Sequence, residues 1–180
     1  MNENPAGVID FWLEAGPQKW FDGAGAFDAQ CRERFLDLHM AASRGELADW
    51  GNEAKGALAL ILLLDQIPRN IFRGSAHAYA TDPLALATAD AAIARRHDVA
   101  FDIPLRAFFY LPFMHSESIE HQRRCVALFR EIPESESGRW ADHHLGIIER
   151  FGRFPHRNRL LGRETTPAEQ AWLQAGGFQG

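Results

Sequence analysis

The sequence predicts an all-helical protein, and two observations support this fold class. Alternation of apolar and polar residues, which is typical of β-strands, is nearly absent from the 180 residues. Helix starts recur instead, because a capping side chain precedes a proline at Asn4-Pro5, Asp82-Pro83 and Thr166-Pro167. Short loops join the helical segments, so we expect antiparallel helical hairpins that stack in a layer or superhelix.

The N-terminal half of the chain predicts three helices. The first begins at Asn4-Pro5 and ends at Gly16-Pro17, and the second begins at Asp28. The third runs from Glu53 to about Gln66 and is apolar on all sides, so we expect it to be a central helix. Pro68 ends it, because proline lacks the backbone N–H that the next helical turn needs.

The C-terminal half predicts further helices, each with a start or stop signal of the same kind. A capping residue begins most of them, and Pro112, Pro133 or a Gly-Gly pair follows. Thr166 and Glu169 have the spacing of a capping box at the start of the last one. The predicted segments are residues 82–97, 105–111, 116–132, 139–151 and 166–174. Together with the first three, they give an expected total of seven or eight helices.

The composition excludes several classes of protein. With 46% hydrophobic and 24% charged residues, the chain is neither membrane-like nor disordered, and it fits a single domain over residues 1–180. Its net charge of −5 argues against nucleic acid or an anionic membrane as a partner. The first twenty residues lack the features of a signal peptide, so we expect a cytoplasmic location.

Four segments of the chain carry a resemblance to a known family. They read QKWFDGAGAFDAQCRERF (18–35), LLLDQIPRNIFRG (62–74), FFYLPFMHSE (108–117) and RFGRFPHRNRLLGR (150–163). Together they resemble the uncharacterised bacterial domain-of-unknown-function family 924. The resemblance implies an all-helical fold similar to tetratricopeptide repeats, and it implies no activity. This chain has Ile67 where the family more often has phenylalanine.

The motif at 62–74 offers an anion site. Asp65, Arg69 and Arg73 are spaced four residues apart, so they share one face if the helical turn continues past the proline. Asn70 has the amide geometry to cap that turn. The arginines then form a forked cationic site for a carboxylate or phosphate, with Asp65 orienting one of them. In the alternative, Asp65 pairs with Arg69 or Arg73 internally and fixes the helix to its connector.

The motif at 150–163 repeats this theme with more charge. This window holds five arginines and no acidic residue, and it interleaves them with phenylalanine, proline and leucine. All but Lys19 and Lys55 of the 19 basic residues are arginine. This bias in composition has a genomic explanation by itself. The placement favours a partly buried cluster, whose anionic partner is a protein carboxylate or a ligand. The candidate residues are Arg153, His156, Arg157 and Asn158.

The motif at 108–117 adds groups with acid–base chemistry. His115 and Glu117 flank a helix start, where they could contact a ligand. In the structural alternative, this turn only caps the helix. His144 matches the family pattern, and we expect it to approach His115. No metal-ligand spacing is present, so we expect neither a metal nor another cofactor.

Three hypotheses for function follow. In the first, both arginine motifs converge on an anionic small molecule or a peptide carboxylate, and whether the site is catalytic stays open. In the second, the protein is a non-enzymatic helical scaffold that binds a protein partner in a concave groove. In the third, every arginine is used internally. The candidate ligand-binding residues are Asp65, Arg69, Asn70, Arg73, His115, Glu117, His144, Arg153, His156, Arg157 and Asn158.

Overall fold

The computed structural model describes residues 4–21 and 25–179, and every regular element in these two ranges is helical. The predicted all-helical fold class is therefore confirmed. The chain divides into two compact units, Met1–Pro112 and Phe113–Gly180. None of the helices in the described ranges is long and apolar enough to cross a membrane.

The helices are short, and turns of 3-10 helix connect several of them. The α-helices are α1 Pro5–Phe21, α2 Ala26–Ser43, α3 Ala54–Ile61, α4 Ile67–Ile71, α5 Asp82–Ala94, α6 Leu111–Met114, α7 Ile119–Arg130, α8 Gly138–Phe151 and α9 Pro167–Gln174. The 3-10 turns are Ala48–Asn52, Ala76–Tyr79, Asp98–Ala100, Leu105–Phe109 and Pro155–Arg157. The predicted segment 105–111 therefore begins as a 3-10 turn, because Leu105–Phe109 lacks α-helical bonding.

The core of the first unit is built around α3. All residues from Gly56 to Ile61 are buried, and α3 packs against α1 and α5, as expected for a helix that is apolar on all sides. Gly56 permits a close approach of α3 to the preceding turn. A Cβ atom at this position would lie 2.0 Å from the carbonyl oxygen of Trp50, so no other residue type fits here.

One predicted helix end is confirmed and one is wrong. Gly16, whose φ of 75° and ψ of 167° are not helical, breaks α1 before Pro17, and a second short helical stretch follows to Phe21. Pro68, in contrast, does not end the third helix, because the chain widens into a π-helical turn over Leu62–Gln66 and continues as α4. The proline deprives the helix of one backbone donor, and a side chain from outside the helix donates to the Leu64 oxygen.

The π-helical turn leaves carbonyl groups that side chains satisfy. Ile67 donates its N–H to the Leu62 oxygen rather than to Leu63, and Pro68 has no N–H to donate. His39 Nδ1 lies 2.8 Å from the Leu63 oxygen, and Thr81 Oγ1 donates to the Leu64 oxygen at 2.6 Å. Buried carbonyls must be paired, so α2 and the turn before α5 complete this irregular helix.

The second unit is organised around α7 and α8, which pack against each other. Gly152, at a φ of 69°, ends α8 in the left-handed conformation that glycine adopts readily. The chain then turns and buries the Phe154 ring completely. Ile147, Ile148 and Phe154 form an apolar cluster, against which Ile119, Phe151, Trp172 and Phe178 pack.

Candidate functional site

Arg69 forms internal ion pairs in the first unit. Its Nη1 and Nη2 atoms donate to the two oxygens of Asp82 at 2.9 and 3.2 Å. Nη1 also donates to the backbone oxygen of Asp65 at 2.7 Å, and Nη2 lies 3.5 Å from the Asp65 carboxylate. These contacts support the structural alternative for Arg69, because they join the π-helical turn to the first turn of α5.

Arg73 is also held by a carboxylate. Its Nε and Nη2 atoms donate to Asp28 on α2 at 2.7 and 2.9 Å, and Nη2 donates to the Asn70 amide oxygen at 3.1 Å. Asn70 in turn donates to the backbone oxygen of Gln66 at 3.2 Å, and the buried Asp65 accepts a hydrogen bond from Gln66 Nε2 at 2.5 Å. The predicted residues of the first motif therefore form one connected polar network.

A cleft of about 320 Å³ borders this network. Asp28, Asn70 and Arg73 contribute to its lining, together with Arg32 on α2, which the sequence analysis did not single out. Arg32 donates to the backbone oxygen of Ile71, and its guanidinium carbon lies 5.6 Å from the centre of the Phe72 ring. Two arginines and one aspartate give the cleft a weakly positive lining.

Glu117 connects the start of α7 to the motif at 150–163. Its carboxylate accepts two hydrogen bonds from Arg163, at 2.7 and 3.0 Å, and one from the backbone N–H of Phe154 at 2.7 Å. Burial raises the pKa of Glu117, but the hydrogen bonds from Arg163 and Phe154 outweigh it and hold the pKa below its usual range. Glu117 is thus an ionised anchor for this loop.

Glu169 gathers the next part of the same motif. Arg153 donates to it through Nε at 2.6 Å and Nη2 at 2.8 Å, and Asn158 Nδ2 donates at 3.2 Å. The N–H of Thr166 donates to it at 2.8 Å and completes the capping box of α9. The hydrogen bonds from Arg153 lower the pKa of Glu169 to about 2 despite its burial.

Two predicted histidines and one predicted arginine lie together around Phe154. The rings of His144 and His156 are centred 5.4 and 5.7 Å from the Phe154 ring. The guanidinium carbon of Arg157 lies 4.6 Å from that ring centre, and its Nη1 donates to the backbone oxygen of His115 at 3.0 Å. We call His144, Phe154, His156 and Arg157 the histidine cluster.

The histidines of this cluster are uncharged at neutral pH. Burial, followed by the electrostatic influence of His115, lowers the pKa of His144 to about 4. Burial, Arg157 and His144 lower the pKa of His156 to about 3. His144 Nδ1 lies 2.8 Å from the backbone oxygen of Trp140 and therefore carries the proton. The cluster then presents one permanent positive charge, that of Arg157.

The side-chain nitrogens of the histidine cluster do not all find hydrogen-bond partners within the described part of the chain. His156 Nδ1 is buried and has no hydrogen-bond partner among the residues that the structure describes. Buried polar groups are nearly always paired, so such an atom needs an explanation. Across those same residues, no group of three or more His, Cys, Asp or Glu side chains is placed to hold a metal ion.

The sequence analysis identified the arginines but not all of their partners. Asp28 and Asp82 were recognised only as helix caps, and Glu169 only as part of a capping box. Nothing in the local sequence indicates that these carboxylates also pair with arginines, because Asp28 is 45 residues from Arg73 in the sequence. Phe178, which packs beside His156, had no signal either.

Comparisons with known proteins agree with the fold and give no activity. Residues 8–177 match a family model described as a bacterial protein of unknown function, DUF924. The structure is similar to the solved structure of a protein of unknown function from Agrobacterium tumefaciens. That similarity has a TM-score of 0.92 and 53% sequence identity, over 96% of this chain and 97% of the other. No curated protein matches the chain.

Proposed function

The chain belongs to the DUF924 family of bacterial proteins of unknown function, and from this premise we propose that it binds a small anion at the histidine cluster. The ligand is a carboxylate or a phosphate, either free or at the end of a peptide. One observation carries the proposal: the buried Nδ1 atom of His156 has no hydrogen-bond partner in the described part of the chain. An anionic oxygen would supply that partner.

Arg157 supplies the charge for this site. It is only 7% exposed and follows His156 directly in the chain. A buried guanidinium attracts an anion strongly, because little water screens the interaction. Arg69, Arg73, Arg153 and Arg163 each pair with a carboxylate of the protein, and this internal pairing accounts for their charges. Convergence of the two arginine motifs stays a prediction.

The neutral histidines fit this role. Binding of an anion next to His144 and His156 favours their protonated forms, so the pKa values of both should rise when the ligand binds. A neutral imidazole is also a general base, which gives the cluster the chemistry to accept a proton from a bound ligand. The proposal itself concerns binding.

Substitution of His156 by phenylalanine separates binding from folding. The ring contacts with Phe154 remain, while the buried nitrogen without a partner is removed. We expect His156→Phe to keep or raise the free energy of unfolding and to weaken binding of phosphate or acetate by about tenfold or more. The measurements are chemical denaturation and an NMR titration that follows the histidine ring protons.

His77→Phe is the control, because His77 is an exposed histidine of the first unit. It should leave both the stability and the anion affinity unchanged. Equal affinities of wild type and His156→Phe for both anions would overturn the proposal, as would an absence of binding to the wild-type protein.

A scaffold that binds a protein partner is the second candidate. A cleft of about 340 Å³ lies beside α7 and α8. Its apolar lining is Val126, Phe129 and Pro133, and its charged lining is Arg130, Glu136, Arg139 and Asp142. Such a mixture is typical of a surface that binds a peptide. A photo-crosslinking residue at Glu136, in the same lining, should give one discrete adduct in bacterial cells if this candidate is right, and none if it is wrong.

A further inference from the structure

Phe178 packs against the rings of four residues in the second unit. Its ring centre lies 4.8 Å from His144, 5.1 Å from His156, 5.6 Å from His143 and 6.1 Å from Trp140. We call these four residues the aromatic slot. Two of them, His144 and His156, also belong to the histidine cluster, so Phe178 lies directly beside the proposed anion site.

Two glycines place Phe178 in the aromatic slot. Gly176 has a φ of 88°, which is unfavourable for other residues. A Cβ atom on Gly177 would lie 2.5 Å from the indole of Trp172, so only glycine passes this ring. The N–H of Gly177 donates to the Trp172 oxygen at 3.0 Å, and Gln179 Nε2 donates to the Leu173 oxygen at 3.2 Å. These two hydrogen bonds join the residues on either side of Phe178 to the end of α9, and the Phe178 ring itself is held only by packing.

The lining of the aromatic slot is unusual for a purely structural contact. Three of the four rings around Phe178 are imidazoles, and the benzyl side chain offers none of them a hydrogen bond. The Nδ1 atom of His156 accordingly stays without a partner in the described part of the chain. Phe178 also packs against the apolar cluster of Ile147, Ile148 and Phe154, and such apolar contacts hold a phenylalanine at lower cost than imidazoles do.

A ligand with an aromatic ring and a carboxylate would use all of these groups. Its ring would make the contacts that Phe178 makes now, with edge-to-face geometries between 67° and 88° at the three imidazoles. Its carboxylate would reach the histidine cluster, where Arg157 lies next to His156 in the chain. The aromatic slot and the anion site would then form one continuous site.

We propose that Phe178 occupies the subsite for the aromatic group of the ligand, and that this ligand is an aromatic carboxylate that displaces Phe178 when it binds. This inference rests on the proposed anion site and adds the ligand class. Free aromatic acids and peptides with a C-terminal aromatic residue share this chemistry. Phe178, a residue of the protein itself, then competes with the ligand for the aromatic subsite.

Removal of the competitor tests this inference. The probes are phenylacetate, acetate, which lacks the ring, and glycyl-phenylalanine, which carries the ring at a peptide C-terminus. Calorimetric titration of Phe178→Ala should show phenylacetate or the dipeptide binding about tenfold more tightly than to the wild type. The affinity for acetate should change less than about twofold. The probe that gains more identifies the free acid or the peptide as the source.

Three further variants check the result obtained with Phe178→Ala. Gly177→Ala pushes the segment away from Trp172 and should increase the affinity for phenylacetate by a smaller factor. Gly146→Ala on α8 is its control, since no atom lies within 4 Å of the added Cβ, and it should leave the affinity unchanged. Phe178→Leu retains apolar bulk if the alanine variant fails to fold, and it should give an intermediate gain.

The outcomes distinguish the two proposals. If acetate binds but Phe178→Ala and Phe178→Leu do not bind either aromatic probe more tightly than the wild type, the inference is wrong and the anion site stands. If neither acetate nor the aromatic probes bind any variant, the anion site is wrong and the inference falls with it. If Phe178→Ala binds the aromatic probes more tightly than the wild type does, and its affinity for acetate does not change, the result supports both the anion site and the aromatic subsite.

Discussion

At the scale of single residues, the carboxylates determine how the arginines are used. Glu169 is 2% exposed and accepts hydrogen bonds from Arg153, Asn158 and the Thr166 backbone. Such a group is stable in its ionised form because several donors replace the water that it loses. The same carboxylate therefore caps α9 and orders the loop before it.

Glu169→Gln should lower the free energy of unfolding. The amide retains the size of the side chain but loses the charge. Its nitrogen is itself a donor, so it cannot accept the hydrogen bonds that one carboxylate oxygen of Glu169 accepts. We expect a loss of about 2 kcal/mol, less than for a fully buried pair because Arg153 is partly exposed. Chemical denaturation at pH 7 measures it.

Glu164→Gln is the matched control for this change. Glu164 is exposed in the same loop, and Arg153 donates to its backbone oxygen, which the substitution leaves in place. Its effect should stay within about 0.5 kcal/mol. If both variants lose the same stability, the contacts of Glu169 do not hold the loop.

At the scale of elements, the π-helical turn at Leu62–Gln66 depends on side chains from elsewhere in the first unit. Pro68 removes one backbone donor, and the wider turn shifts the N–H of Ile67 to Leu62. His39 and Thr81 then contact the carbonyls of Leu63 and Leu64. The sequence rule that proline ends a helix assumes that no outside partner is present, and here two are.

Thr81→Val should therefore destabilise the protein. Valine has nearly the same shape as threonine but cannot donate to the buried Leu64 oxygen. We expect the free energy of unfolding to fall by about 1–3 kcal/mol. Thermal and chemical denaturation of the purified variant measure the loss.

Thr88→Val provides the comparison, because Thr88 Oγ1 also donates to a helical carbonyl, that of Leu84, but in an exposed position. Water replaces that donor, so the cost should be about 0.5 kcal/mol or less. A cost for Thr81→Val as small as that for Thr88→Val would show that the Leu64 oxygen is satisfied without the hydroxyl.

At the scale of the whole molecule, buried neutral histidines make stability depend on pH. The pKa values of His144 and His156 are about 4 and 3 in the folded chain, against about 6.5 when unfolded. At a pH between the folded and the unfolded pKa values, these histidines bind protons in the unfolded chain but not in the folded chain. The free energy of unfolding should therefore fall as the pH decreases below about 6.5.

As the pH falls from 7 to 5, each of these histidines should lower the free energy of unfolding by about 1–2 kcal/mol. This window separates them from Glu169, whose contribution is lost only below its unfolded pKa of 4.5. Denaturation curves at several pH values should show a smaller slope for His156→Phe than for the wild type. Burial also lowers the pKa of His39, so part of the slope should remain. Identical slopes would contradict the neutral state of His156.

The sequence by itself determined the helical class, the capping box at Thr166 and the burial of α3, because these follow from contacts within a few residues. It also located the arginines and histidines of the candidate site. Tertiary structure decided what each of them contacts. Glu117 and Arg163 are 46 residues apart in the sequence, and no local spacing brings them together. Whether a guanidinium meets a carboxylate or leaves room for a ligand depends on how whole helices pack, since hydrogen bonds form only over about 3 Å.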